Sequence, residues 1–250
     1  TLMTERYNPQ NQKSTMLRFH TQTAGVTLTA QQPLNNVTRV SYQALSAVLG
    51  GTQSLHTNSY DEAIGLPTDQ SATIALRTQQ ILAEETGVAD VVDPLAGSYH
   101  VEKLTEMIYS QAYELIQEID SMGGALAALK NGYQQRRIHD SAWKQMQDIE
   151  SLERKVVGVN HVFMDEELQI EGQEIDSTIA DMQKEKMLTL RNIRDEKLVE
   201  DALRSITEAA SMNVNLFPLI LHAVRVYCTV GEIMNAMKAV FGTWSAPSGF

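Results

Sequence analysis

Two short stretches concentrate side chains able to hold a polar ligand. In RFHTQT, Arg18, His20 and Gln22 alternate with Phe19, Thr21 and Thr23; in TQSLHTN, Thr52, Ser54, His56 and Asn58 alternate with Gln53, Leu55 and Thr57. Alternation is the period of a strand, so each set projects from one face. Strands of a parallel sheet are ordinarily Val/Ile/Leu runs, because helices cover both faces. These two are not, and burying their polar groups without partners costs about 1–3 kcal/mol each. Either a polar ligand or ordered water fills the concave side of the sheet, or these residues sit at strand ends and bond to loops. Asn58 and Glu62 lie four residues apart and face the same way if the chain turns helical beyond the second strand. An amide and a carboxylate so placed can grip hydroxyl groups such as those of a ribose. The same residue types also serve at helix starts, and spacing alone does not choose.

Other chemistries find less support. His100, His139, His161 and His222 show no metal-ligand spacing, and one cysteine makes a zinc site unexpected. His139 and His161 read as surface or loop residues, and Cys228 as a small core residue. There is no G-x-S-x-G, no P-loop and no G-x-G-x-x-G. DPLAGSY is a turn cluster that can shape a ligand loop, although turn chemistry alone accounts for Pro94 and Gly97.

Composition narrows the partners. A chain of 250 residues holds one large domain or two small ones, and 43% hydrophobic with 20% charged residues is ordinary for a packed protein. Lys plus Arg is 20 against 31 for Asp plus Glu, a net charge of −11. That balance argues against nucleic acid or an anionic membrane as the main partner, while leaving room for an anionic small ligand at a local site. Apolar stretches such as 216–226 are too short to span a bilayer, and the start does not resemble a signal peptide. A single cysteine excludes an internal disulfide framework and fits a reducing, cytoplasmic setting.

The elements that must carry these side chains follow from periodicity. Strands are expected at 17–23, 52–57 and 89–93, each followed by a helical pattern: 36–49, a helix opened by Pro67 and ending near Gly87, and about 101–121, stopped by Gly123 and Gly124. This β-α order predicts a parallel sheet with crossover helices. Strand starts spaced by 35 and 37 residues match the unit of a (β/α)8 barrel at its large end. Beyond residue 122 the pattern predicts helices at 125–130, 134–152 and 177–210, an extended segment at 155–163, an acidic loop at 165–174, and a capping box (TVGE, 229–232) opening a last helix to Phe241, with a frayed tail at 243–250.

Several longer motifs carry a resemblance. RFHTQTAG, LTAQQPLNN, GGTQSLHTNSYDEAIGLP, ALRTQQILAEETG, VVDPLAGSY, VVGVN and CTVGEIMNAMKAVFG all resemble the large subunit of the methylmalonyl-CoA mutase group of coenzyme B12-dependent acyl-CoA mutases. The likeness covers nearly the whole chain. It implies an α/β fold: the C-terminal part of a (β/α)8 TIM barrel, about three βα units over residues 1–122, followed by a mostly helical extension over 123–250 that packs on the barrel and leads towards a cobalamin-binding subunit. In that group the barrel interior is lined by small polar side chains and holds the acyl-CoA along its axis. Adenosylcobalamin is held between barrel and cobalamin domain and yields the deoxyadenosyl radical that starts a rearrangement.

Matched residue by residue, the resemblance places His20 and Gln53 against the acyl-CoA, with His20 as a catalytic residue. It places Arg18, Gln22, Gly25, Glu62 and Ala63 near the corrin or the adenosyl group. Asn58 and Glu62 match the pair that holds the adenosyl ribose, and at Gly25 a backbone lying against a flat corrin leaves little room for a side chain. The first half of the barrel, with most CoA contacts, is expected before residue 1. The cobalt ligand is expected from another domain or subunit, since no D-x-H-x-x-G occurs here. Open sheet edges imply either association with that missing half, a small subunit or a further copy, or closure of the sheet by the later helices, and no activity alone. A non-catalytic module that docks a cobalamin subunit is the competing expectation. Among substrates, Gln53 looks more like the methylmalonyl or 2-hydroxyisobutyryl types than the isobutyryl type, with ethylmalonyl also open.

Overall fold

The computed structural model describes residues 2–164, 176–212 and 214–245. The chain divides into two compact units, residues 1–173 and 174–249. This contact boundary lies beyond the 122/123 division expected from sequence, because the helices directly after residue 122 pack within the first unit.

The first unit begins with α1 (Leu2–Tyr7) and reaches β1 (His20–Gln22). A loop with one 3-10 turn leads to α2 (Asn35–Leu49), then β2 (Ser54–His56) and α3 (Asp69–Glu84). The two strands pair in parallel, with His20 opposite Ser54, Thr21 opposite Leu55 and Gln22 opposite His56. Thr23 N–H to the His56 carbonyl (3.0 Å) and Gln53 N–H to the Phe19 carbonyl (3.3 Å) extend the ladder at either end. Parallel pairing requires a crossover, and α2 supplies it, burying Asn36, Val40 and Ala44 along one stripe. α3 lies beside it and buries Ser71, Ala75, Thr78 and Leu82. Its start is set by Thr68, whose hydroxyl accepts the Ser71 N–H, rather than by Pro67 itself.

The expected third strand is absent. Residues Val88–Asp90 form a 3-10 turn and Asp93 adopts a left-handed φ of 51°. Val91 is extended, but it and Val92 are 60% and 95% exposed, with no strand beside them. A lone β-branched pair has no ladder to join, so local turn chemistry prevails. α4 (Tyr99–Ser121), α5 (Ala125–Lys130) and α6 (Tyr133–Glu150) follow. α4 buries none of its side chains within the chain. Leu104, Met107 and Ile108 remain exposed on it, a face that the described residues do not cover.

Residues 155–163 are not extended. Arg154 to Asn160 close a tight turn in which the Asn160 amide donates to the Ile149 and Arg154 carbonyls at 2.7 and 2.8 Å, leaving one isolated bridge between Val157 and His161. The acidic stretch expected at 165–174 lies outside the described residues, as does most of the expected tail.

The second unit contains α7 (Ser177–Ile193), α8 (Glu196–Ala210), α9 (Phe217–Arg225) and α10 (Val230–Phe241). α8, α9 and α10 close a core of Val199, Ala202, Ile206, Ala223, Cys228 and Ile233. Thr229 and Glu232 form the capping box read from TVGE. Among the described residues no helix is long and apolar enough to cross a membrane.

Candidate functional site

The register brings His20, Gln22, Ser54 and His56 to one face of the two-stranded sheet, and all four are exposed. Their opposite face carries Thr21 and Leu55, both partly buried beneath the helices. His20 Nδ1 lies 2.7 Å from Ser54 Oγ, which fixes the plane of its ring. At the C-terminal end of the strands, the Gln22 side-chain amide donates to Asn58 Oδ1 at 3.0 Å. The buried Thr23 hydroxyl accepts the Asn58 backbone N–H at 2.9 Å. Thr57, also buried, donates its hydroxyl to the Ala75 carbonyl of α3 at 2.7 Å and accepts from Gln79 at 2.9 Å. Both sides of the segment after β2 are therefore tied down.

Three residues that the resemblance assigned to the cofactor meet here. A Cβ added to Gly25 would stand 2.7 Å from Asn58 Nδ2 and 3.4 Å from Glu62 Oε1, so no residue larger than glycine fits without displacing the amide. Asn58 is 2% exposed, and its Nδ2 has no hydrogen-bond acceptor. Such a donor ordinarily costs about 1–3 kcal/mol unless something outside the protein answers it. Glu62, by contrast, is exposed at the rim. An orphaned buried donor with a carboxylate beside it fits a ligand that presents hydroxyl groups.

The capping reading of Asn58 and Glu62 does not hold. No α-helix begins at residue 58: residues 58–65 form a short turn, closed by Glu62 N–H to Ser59 O (3.2 Å) and Ile64 N–H to Asp61 O (2.8 Å), and α3 starts later with its own cap. Beneath this turn Asp61 is 1% exposed. Burial acts to raise its pKa, but the Ser59 and Ser71 hydroxyls and the Thr68 amide outweigh that and hold it below the ordinary carboxylate range. Of these, the Thr68 N–H makes a geometrically clear hydrogen bond, at 3.2 Å, while Asp61 Oδ1 and Ser59 Oγ remain without one. A cleft of about 250 Å³ beside the turn is lined by His56, Thr57, Ser59 and Glu62 among others.

Three assigned residues stand apart from this meeting. Gln53 precedes β2, and its side chain is engaged with the backbone, accepting from Phe19 N–H at 2.7 Å and donating to the Gly51 carbonyl at 3.0 Å. Arg18 is exposed, two residues before β1, with no hydrogen bond or ion pair among the described residues. Ala63 is exposed on the turn after Glu62. Sequence reasoning did not single out Asn36, Ser59 or Asp61, although an asparagine on the buried stripe of α2 is a detectable signal. Among the described residues no three His, Cys, Asp or Glu side chains gather as a metal-holding group.

Comparison with known proteins agrees with the resemblance. The family model described as methylmalonyl-CoA mutase matches residues 1–243. The probable mitochondrial methylmalonyl-CoA mutase of Caenorhabditis elegans is 45% identical over 246 residues, covering 98% of this chain and 33% of that protein. The mitochondrial methylmalonyl-CoA mutase of Homo sapiens is 45% identical over 247 residues, with the same shares. The 2-hydroxyisobutanoyl-CoA mutase large subunit of Aquincola tertiaricarbonis is 43% identical over 245 residues, covering 97% of this chain and 44% of that subunit. The chain thus spans a third to less than half of the length of these relatives.

Proposed function

The chain belongs to the methylmalonyl-CoA mutase family, and on that footing we propose that it supplies the adenosyl-facing part of an adenosylcobalamin-dependent acyl-CoA mutase. The supporting observation is the meeting of Gly25, Asn58 and Glu62 around an unanswered amide donor. A ribose hydroxyl both donates and accepts. A ribose hydroxyl held here would accept from Asn58 Nδ2 and donate to the Glu62 carboxylate. Gln22 holds the far side of the Asn58 amide, so the amide is aimed before the ligand arrives. Gly25 leaves room for the Asn58 amide, and Gly25, Arg18, Gln22 and Ala63 would border the corrin. When bound, the cofactor supplies the radical chemistry of a 1,2-rearrangement of the acyl skeleton. His20, its ring held by Ser54, would hydrogen-bond the reacting acyl group, and Gln53 would border the acyl-CoA.

In this reading, residues 1–122 are the last βα units of a TIM barrel, completed by an N-terminal half from elsewhere. Residues 123–250 are the extension towards a cobalamin-binding subunit or domain, which furnishes the cobalt ligand. The assembly is oligomeric and cytoplasmic, the compartment resting on the free, buried Cys228. The leading substrate is methylmalonyl-CoA. A 2-hydroxyisobutyryl thioester is the second reading, supported by the near-equal identity to the Aquincola subunit.

The test is to join this chain to the remainder of the barrel and the cobalamin part, add adenosylcobalamin, and assay methylmalonyl, 2-hydroxyisobutyryl, isobutyryl and ethylmalonyl thioesters while following the cobalamin spectrum. Turnover of one thioester with a spectral change is expected, and none from the chain alone. Absence of both in the complete assembly refutes the reading and leaves a non-catalytic docking module.

A further inference from the structure

Resting on that reading, we propose that Asn36 is a positioning residue for the adenosyl-facing site, locking the loop that carries Gly25 to the turn that carries Asn58 and Glu62. Asn36 is fully buried on the first turn of α2. Its Oδ1 accepts the Thr29 N–H at 3.1 Å and Arg39 Nη1 at 2.7 Å. Its Nδ2 donates to the Thr29 and Tyr60 carbonyls, both at 2.8 Å. Two donor hydrogens and two acceptor lone pairs are all used, which is the whole capacity of a carboxamide.

The partners belong to two different βα units. Thr29 follows Gly25 on the loop after β1, and Tyr60 stands between Asn58 and Glu62 on the turn after β2. Among the described residues no backbone hydrogen bond joins residues 24–31 to residues 57–65. Beyond the Gln22 and Thr23 contacts to Asn58 at the strand ends, the Asn36 amide links the two loops. A buried stripe of Asn36, Val40 and Ala44 would pack at least as well with an apolar residue at its head, and burying a carboxamide is costly unless its bonds are made. The residue type is thus explained by the two loops it joins rather than by the helix it belongs to. Arg39 extends the clasp: Nη1 also donates to Thr29 Oγ1 at 3.0 Å, and Nη2 to the Val157 carbonyl at 2.7 Å. The 157–161 turn, held again by Gln32 Nε2 on the Val162 carbonyl at 3.0 Å, is thereby fastened to the same clasp.

The clearest variant is Asn36→Asp in the complete protein. It keeps the shape and both acceptor contacts but sets a carboxylate oxygen against two carbonyls. Hydrogen exchange of the Glu62 and Ile64 amides in the cofactor-free protein is expected to accelerate. The Kd for adenosylcobalamin, read from its visible spectrum, is expected to rise about tenfold or more, while that for the acyl-CoA stays within about twofold. Arg39→Lys, which keeps the charge but not the fork, is expected to move the same readouts in the same direction by less, and it decides the matter if Asn36→Asp does not fold. Unchanged exchange and affinity, or equal loss of affinity for both ligands, overturns the clasp. A wild-type protein that does not bind adenosylcobalamin overturns the underlying function instead, and the clasp with it.

Discussion

Arg194 and Asn58 are both polar groups drawn almost wholly out of water, yet their surroundings differ in kind. The Arg194 side chain is 3% exposed and every direction of its guanidinium is met: two bonds of 2.8 Å to Glu232, two near 3 Å to Glu196, and one of 3.1 Å to the Tyr227 carbonyl. Its bonds to Glu232 hold Arg194 above its usual range, and Arg194 in turn draws Glu232 down to about 2. Among the described residues of the helical unit no buried side-chain nitrogen or oxygen lacks a partner, and its apolar core closes around Val199, Ile206 and Ile233. Around Asn58, Gln22 meets the carbonyl oxygen and nothing meets the nitrogen. A satisfied buried charge is scaffold, whereas a buried donor left open is what the proposed ligand would answer.

Changes on either side of this contrast should part cleanly. The largest effect is expected from Arg194→Met. It leaves Glu232 only the Thr229 amide at 2.8 Å and the Arg191 Nε at 3.7 Å, and costs about 2–3 kcal/mol, below a fully buried pair because Glu232 keeps those partners and 20% of its side chain exposed. Denaturant unfolding of the chain should register it, while cofactor affinity of the folded complete protein stays unchanged. Next comes Gly25→Ala, whose methyl must displace the Asn58 amide. Adenosylcobalamin affinity should fall about tenfold to a hundredfold with little change in melting temperature. A melting shift as large as that of Arg194→Met would assign Gly25 to scaffold.

The smallest effect is one of pH. Glu232 has a folded pKa of about 2 against an ordinary 4.5, so its contribution is full above pH 4.5 and fades as the pH falls towards 2. After allowance for solvent screening this amounts to about 1–2 kcal/mol. Acid unfolding of the wild type should steepen across that window, and Glu232→Gln should flatten it.

How much of this was legible in the sequence depends on whether the signal was local. The stripe of α2, the paired glycines after α4 and the TVGE box are local, and each element formed where its residues direct. The alternation of polar residues in the two strands likewise fixed which side chains share a face. Residues 89–93 and 155–163 are β-branched but have no ladder partner, so propensity gave way to turns. α9 went unread because 216–226 is nearly continuously apolar, a pattern without a clear helical period. Gln53 could not be separated from its neighbours by type, since its engagement with Phe19 arises only when the strands pair. Asn36 has meaning only once two loops distant in sequence meet around it.

The most direct measurement is a two-by-two cycle on the complete protein: wild type and Asn58→Ala, each titrated with adenosylcobalamin and with its analogue lacking the ribose hydroxyls. If the Asn58 amide is completed by the ribose, removing the hydroxyls weakens binding to the wild type and matters little once Asn58 is gone, a coupling of about 1 kcal/mol or more. Equal loss in both proteins would mean that the open donor of Asn58 faces something other than the sugar.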